Sequence, residues 1–188
     1  HVPVAMHAME HGKHVATEVP SAFTVEDCWR LVETSERTRR HCIQLENCCY
    51  GEIEMLTLNL ARQGLLGELK HAECAYIHDL RRDCYLDFIA DKPEYTVTGY
   101  WDQWRLKWNL THKGNQYPTH GLGPVCWYLD INRGDRLDYL VSLESQPCGF
   151  KDYANIASPG SETAALDPEQ GDMNTTHVKT AQGRSIML

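Results

Sequence analysis

From Tyr117 to Pro124 the chain reads Tyr-Pro-Thr-His-Gly-Leu-Gly-Pro. A phenol, a hydroxyl and an imidazole, those of Tyr117, Thr119 and His120, stand close together, with Pro118 bracing the run. Imidazole exchanges protons near neutral pH, and a phenol or hydroxyl can orient or share them. The apolar run Val125, Cys126, Trp127, Tyr128 and Leu129 comes next. The stretch therefore reads as a polar loop feeding a buried helix. A helix N-terminus favours neutral imidazole or a bound anion, which suits proton transfer at such a junction. A capped helix with an incidental His accounts for the same residues equally well. A second constellation is aromatic: Trp101, Trp104 and Trp108 flank Arg105. Indole faces stack on sugar CH groups while a guanidinium bonds hydroxyls. A packed lid or a subunit contact fits that cluster too.

The chain that must position these groups has 188 residues, enough for one domain or parts of two. A net charge of -8 argues against nucleic-acid and membrane-surface roles, which need a basic face. No stretch approaches the length of an apolar membrane span. The eight Cys contain no CxxC pair. Cys28, Cys42, Cys74 and Cys126 lie in apolar-periodic segments and read as small hydrophobes in a reducing compartment. Ten His invite a metal, but neither HExxH nor a Cys/His ligand spacing occurs. No metal site is expected.

Apolar periodicity predicts a helix over residues 2–10 with His11-Gly12 at its end, then a strand over 14–17. A helix follows from Thr24, with Asp27 three residues on as in a capping box, and with Cys28, Leu31 and Val32 as its buried stripe. A strand over 41–45 and a helix over 51–63 come next, the latter with Ile53, Leu56, Leu60 and Ala61 as core candidates and Gly64 as its stop. This alternation is the grammar of a parallel α/β fold, in which ligands sit at the carboxyl ends of strands. Glu18 and Asn47 fall at two such ends, although a loop cap and a turn explain them singly. Beyond Gly67 the pattern changes. A strand is expected over 69–77, a loop over 81–100, a helix from His120 to about Asn132, a strand over 137–143, a loop over 147–168 and a terminal hairpin turning at Gln182-Gly183.

The order of these pieces resembles the Gfo/Idh/MocA oxidoreductases. The segment from Ala8 to Val15 followed by Glu18-Val19-Pro20 is similar to that family's helix, strand and "EKP" turn, with Val19 where Lys is usual. A narrower set resembles glycoside hydrolase family 109: Glu18-Val19-Pro20, the run Glu46 to Tyr50, the run Ala75 to Asp79 with Leu80, Trp104-Arg105, and the run Tyr117 to Pro124. The resemblance implies the C-terminal part of a Rossmann NAD-binding domain over residues 1–50. An α+β domain with an open, mostly antiparallel sheet is implied over 51–188, so the class is α/β with a second α+β part. It implies an internal piece of a longer bacterial protein, without the Gly-rich phosphate turn and without a late Tyr of the site. Such a piece is expected to be inactive alone.

The same resemblance implies an NAD-dependent α-N-acetylgalactosaminidase. Most glycosidases use two carboxylates, and NAD-dependent families are an exception. The implied route is oxidation at C3, elimination across C1 and C2, addition of water and reduction at C3. Carried over position by position, it implies cofactor contacts from His1, Glu18, Val19 and Asn47. Substrate contacts are implied from Tyr76, Arg105, Tyr117, Pro118, Thr119 and His120. His120, Tyr50 and Glu18 are the implied catalytic candidates. Association through the open sheet face is implied, and localisation stays open between cytoplasm and export. Two other classes fit the residues: a sugar or inositol dehydrogenase of the same fold, disfavoured by Val19, and a non-catalytic sugar-binding protein. A metal hydrolase ranks last.

Overall fold

The computed structural model describes residues 1–79, 104–157 and 159–188. The loop expected over residues 81–100, Leu80, Cys84 and Trp101 lie outside them. The chain divides into two compact units, His1–Leu69 with Tyr117–Asp135, and Lys70–Gln116 with Arg136–Leu188.

In the first unit, α1 (Val2–Glu10) leads into β1 (Val15–Thr17), α2 (Val25–Thr38) and β2 (Cys42–Gln44). Strands β1 and β2 pair in parallel, Val15 opposite Cys42 and Thr17 opposite Gln44. Parallel neighbours need a crossover, and α2 supplies it. Helix α1 ends as expected, with Gly12 at φ +78° past its last turn. Thr24 accepts a hydrogen bond from the Asp27 N–H at 3.1 Å and so caps α2. The core joins Val2, Ala5 and Met9 of α1 to Leu31 of α2. Two members of the expected α2 stripe are corrected: Cys28 and Val32 are exposed, while Thr34 is buried with Leu31. The inward face of α2 carries Leu31 and Thr34, one turn apart, and Leu31 meets the apolar residues of α1 together with Val15 and Cys42.

A 3-10 turn (Asn47–Tyr50) leads into α3 (Glu52–Arg62), which ends before Gly64 at φ +72°. Its buried residue is Leu58, whereas Ile53 and Leu56 are exposed and Leu60 and Ala61 are half-buried. The helix carries apolar residues on more than one face, so periodicity alone does not fix its phase. Helix α5 (Thr119–Tyr128) completes this unit. It is shorter than the expected span, closing at Leu129, with Asp130 and Asn132 at positive φ just beyond.

The second unit holds β3 (His71–Glu73), α4 (Trp104–Asn109), β4 (Leu137–Glu144), α6 (Gly149–Ala157), β5 (Asn174–Thr180) and β6 (Ser185–Met187). The strand order is β3-β6-β5-β4. Strands β3 and β6 are parallel, and β6-β5 and β5-β4 are antiparallel. The sheet is therefore mostly antiparallel, as expected, and Gly183 at φ +89° turns the hairpin. Edge strand β4 exposes Leu137, Tyr139, Leu140, Val141 and Leu143. The expected loop over 147–168 is corrected by α6, whose Phe150 and Ala154 pack with Leu106 and Ala164. Its first N–H groups are capped from far along the chain. Asp172 accepts from Cys148 N–H at 3.1 Å and from Gly149 N–H at 2.9 Å. Gly171, beside it, allows a close approach: a Cβ there would stand 2.0 Å from the Ser145 carbonyl oxygen. Among the described residues no helix is long and apolar enough to cross a membrane.

Candidate active site

The chemistry of the first unit gathers where the chain leaves β2. The Leu45 N–H still pairs with the Thr17 carbonyl at 2.8 Å, and the next residue, Glu46, turns inward. Its carboxylate caps the 3-10 turn, accepting from the Cys48 N–H at 3.1 Å. Cys49, buried beneath, packs under the first turns of α5. That helix approaches closely because residue 123 is glycine. A Cβ there would stand 2.7 Å from Glu46 Cγ and 3.0 Å from Cys49 Sγ. The Tyr50 ring meets Trp127 of α5 edge-on at 5.4 Å, and the Tyr128 hydroxyl donates to the Glu54 carbonyl at 3.2 Å.

This packing brings His120 Nδ1 to 2.6 Å from Glu46 Oε1. The pair is largely shielded, with 19% of the His120 side chain and 8% of the Glu46 side chain exposed. Burial pushes the Glu46 carboxyl pKa up, but hydrogen bonds from His120 and the Cys48 N–H outweigh it. The nearby Thr119 hydroxyl adds to the same effect, and the net direction is below the usual carboxylate value. No hydrogen bond closes between Thr119 and the acid, since Thr119 Oγ1 and Glu46 Oε2 are both buried without a partner. An ionised carboxylate only accepts, so the proton between the two side chains sits on His120 Nδ1. Burial, followed by the Glu46 charge, raises the Cys49 thiol to about 11 and keeps it protonated.

Tyr117 lies beside this pair. Its ring stands 4.9 Å from the His120 ring, and its hydroxyl donates to the Val19 carbonyl at 3.2 Å. Val19 is buried, and its N–H donates to the Glu18 carboxylate at 3.3 Å. The structure thus links Glu18, Val19, Tyr117, His120 and Glu46 in one continuous set, with Pro118 and Thr119 in the same turn. Asn47 and Tyr50 are exposed on the segment that follows Glu46. His1 stands exposed at the head of α1, where its carbonyl accepts from the Ala5 N–H at 3.0 Å. Tyr76 and Arg105 belong to the second unit. There Tyr76 lies 5.8 Å from the His78 ring, and the buried Arg105 guanidinium stands 5.2 Å from the Trp104 ring centre.

Glu46 is the residue that sequence reasoning passed over, although it stands beside Asn47. One signal pointed there: two glycines follow His120, and a helix carries glycine where another chain segment must come close.

Residues 50–188 match the family described as "Glycosyl hydrolase 109, C-terminal domain". The chain belongs to glycosyl hydrolase family 109. Relatives in this family include glycosyl hydrolase family 109 protein 2 of Phocaeicola vulgatus, 51% identical over all of this chain and 44% of its own length. An alpha-N-acetylgalactosaminidase of Bacteroides fragilis is 52% identical over all of this chain and 43% of its own length. The family 109 chain thus spans less than half the length of these relatives. Among solved structures, an inositol dehydrogenase homolog from Azotobacter vinelandii, complexed with NADH and myo-inositol, matches with a TM-score of 0.60 at 17% identity. That match covers 100% of this chain and 40% of the dehydrogenase. The likeness bears out the Gfo/Idh/MocA-type fold, and at that identity it speaks to fold alone.

Proposed function

We propose that the intact protein removes terminal α-N-acetylgalactosamine from glycoconjugates, with NAD as a cofactor that is not consumed overall. The observation that carries this reading is the shielded Glu46–His120 pair beside Tyr117, in a member of a glycosidase family. The alpha-N-acetylgalactosaminidase of Bacteroides fragilis, at 52% identity, supports the choice of sugar. Residues 1–50 serve the cofactor and residues 51–188 the substrate.

The cofactor assignment fits the local structure. Glu18 and Asn47 are exposed polar residues just past the carboxyl ends of adjacent parallel strands, where α/β sheets bind ligands. Val19 joins Glu18 to Tyr117 through its N–H and carbonyl, and His1 is assigned to the same cofactor. Bound there, NAD supplies reversible hydride removal from a sugar carbon, which makes the adjoining C–H acidic.

The chain's own residues handle protons and position. His120 Nε2 takes the proton from the sugar, while Glu46 fixes the ring through Nδ1–H and stabilises the charge that develops. Tyr117 orients a sugar hydroxyl, and Pro118 and Thr119 shape the turn that presents it. Tyr76 and Arg105 bind the sugar's polar groups. Glu18 and Tyr50 are the further candidates for the remaining acid and base roles. Val19 carries no exchangeable side-chain proton, which disfavours the net sugar or inositol dehydrogenase as the alternative.

The test uses the intact protein and an aryl α-N-acetylgalactosaminide in deuterated water. Aglycone release with deuterium at C2 of the sugar is the expected result. Accumulation of NADH on other sugars, with no release, would replace this reading by the dehydrogenase. Release without deuterium would keep the hydrolase and remove the elimination route.

A further inference from the structure

The Glu46–His120 pair has a third neighbour whose chemistry differs from proton transfer. Cys48 stands two residues after Glu46, and ligand atoms of Glu46, Cys48 and His120 all lie within 4.8 Å of one another. The thiol is half-buried, so an ion can reach it, while Glu46 is 6% exposed. Glu46 Oε2 is the second observation: it is a buried acceptor with no hydrogen-bond partner. A buried acceptor left unpaired is costly unless a donor or a cation meets it.

Thiolate, imidazole and carboxylate are the three ligand types that hold zinc, at about 2.3 Å for sulfur and about 2.0–2.2 Å for nitrogen or oxygen. Tetrahedral ligands at those lengths stand roughly 3.3–3.8 Å apart. The His120–Glu46 pair, 2.6 Å apart, must therefore open by about 0.7 Å to admit the ion. The widest separation must close by about 1 Å, within reach of a Cys48 side-chain rotation. A carboxylate and a thiolate together balance the ion's two positive charges. Three protein ligands leave the fourth position to water, as in open zinc sites.

We propose that Glu46, Cys48 and His120 form a binding site for a single thiophilic divalent cation of the zinc type, whose occupancy switches the proton-transfer pair off. On binding, the Cys48 thiol proton leaves to solvent. The His120 ring proton moves from Nδ1 to Nε2 as Nδ1 takes the metal, and nothing is oxidised or reduced. Nε2 then carries a hydrogen and cannot accept one. The switching rests on the glycosidase reading, whereas the binding does not.

The experiment uses the intact protein, purified with a chelator and then freed of it, with NAD bound. Cobalt(II) is titrated as the spectroscopic probe. The expected result is a thiolate-to-cobalt charge-transfer band that saturates at one equivalent and is displaced by zinc. Cys48→Ser abolishes the band with an unchanged unfolding midpoint, and Glu46→Gln weakens cobalt binding about tenfold or more. No band, or a band that persists in Cys48→Ser, overturns the site. In the second arm, zinc lowers turnover of the aryl glycoside and a chelator restores it. Cys48→Ser requires about 100-fold more zinc for the same inhibition, since losing a ligand costs at least as much as losing its outer support. Equal sensitivity in Cys48→Ser, or activity that a chelator destroys, overturns the switch. Failure of the glycosidase reading is separable, because the metal-free protein would then show no turnover while the cobalt band remained.

Discussion

Helices α2 and α5 both carry a threonine at their start, Thr24 and Thr119, but they use their polar side chains differently. At α2, Thr24 accepts from the Asp27 N–H and Asp27 pairs with Arg30 at 2.8 Å, so the polar groups serve the helix itself. At α5 the cap position is Pro118, which has no side chain to offer the helix N–H groups. The first-turn side chains turn instead to a distant segment, with His120 bonded to Glu46 and Thr119 Oγ1 buried without a partner. A helix start that satisfies itself is structural. One that leaves its cap to proline and buries its polar side chains against another segment holds them in place for the proton transfer proposed here.

That contrast can be broken at four points. Replacing His120 by Ala in the intact protein should lower kcat by about 10²–10⁴-fold, the range for losing a positioned acid or base, while NAD stays bound. Steady-state turnover and cofactor retention read both. Next, Glu46→Gln should lower kcat by about 10²-fold, since the ring loses its fixed tautomer, with little change in KM.

The same variant tests the pH linkage. Glu46 is held below its ordinary value in the folded protein, first against the opposing effect of burial, by His120 and the Cys48 N–H. A carboxyl so depressed adds stability that is fully present above its unfolded value and is lost as pH falls through its folded value. Glu46→Gln should therefore cost roughly 1.5–3 kcal/mol at neutral pH, the range for hydrogen bonds to charged groups. The difference should shrink on acidification below the ordinary carboxylate range, as unfolding midpoints across pH will show.

Gly123→Ala comes third. Its methyl would meet Glu46 Cγ and Cys49 Sγ, and overpacking of that kind costs about 1–3 kcal/mol. Turnover should fall with stability, because the acid is pushed aside. The smallest effect belongs to the self-capped helix. Thr24→Ala should cost about 1 kcal/mol of stability and leave kcat unchanged, and an altered kcat would blur the distinction between the two helix starts.

Local signals were legible where a residue and its partner are close in sequence. The bounds of α1, the Thr24 cap and the Gly183 turn rest on neighbours a few residues apart, and the parallel β1-α2-β2 unit follows from the alternation of such local elements, although Val15 pairs with Cys42. Distant partners hid the rest. Helix α6 opens among Pro147, Cys148 and Gly149, which reads as a breaker, and its cap comes from Asp172. Cys28 and Val32 match helical spacing, but which side of α2 is covered depends on α1 and the two strands. In the site, Tyr117 and His120 announced themselves by type and spacing. Glu46 did not, because its partner is 74 residues away and only folding makes the pair.

The Gly171-Asp172 clasp also sets where this chain can change length. Asp172 holds the start of α6, and Gly171 fits where a Cβ would strike the Ser145 carbonyl. Between them and α6 lies the exposed turn at Gly160. Residues inserted there add only loop-closure entropy, about 0.6 kcal/mol for a doubling of the loop. The same insertion placed between Gly171 and Asp172 would unfasten the helix it holds. A tag, a reporter or a second domain therefore belongs at residue 160, with the clasp kept whole.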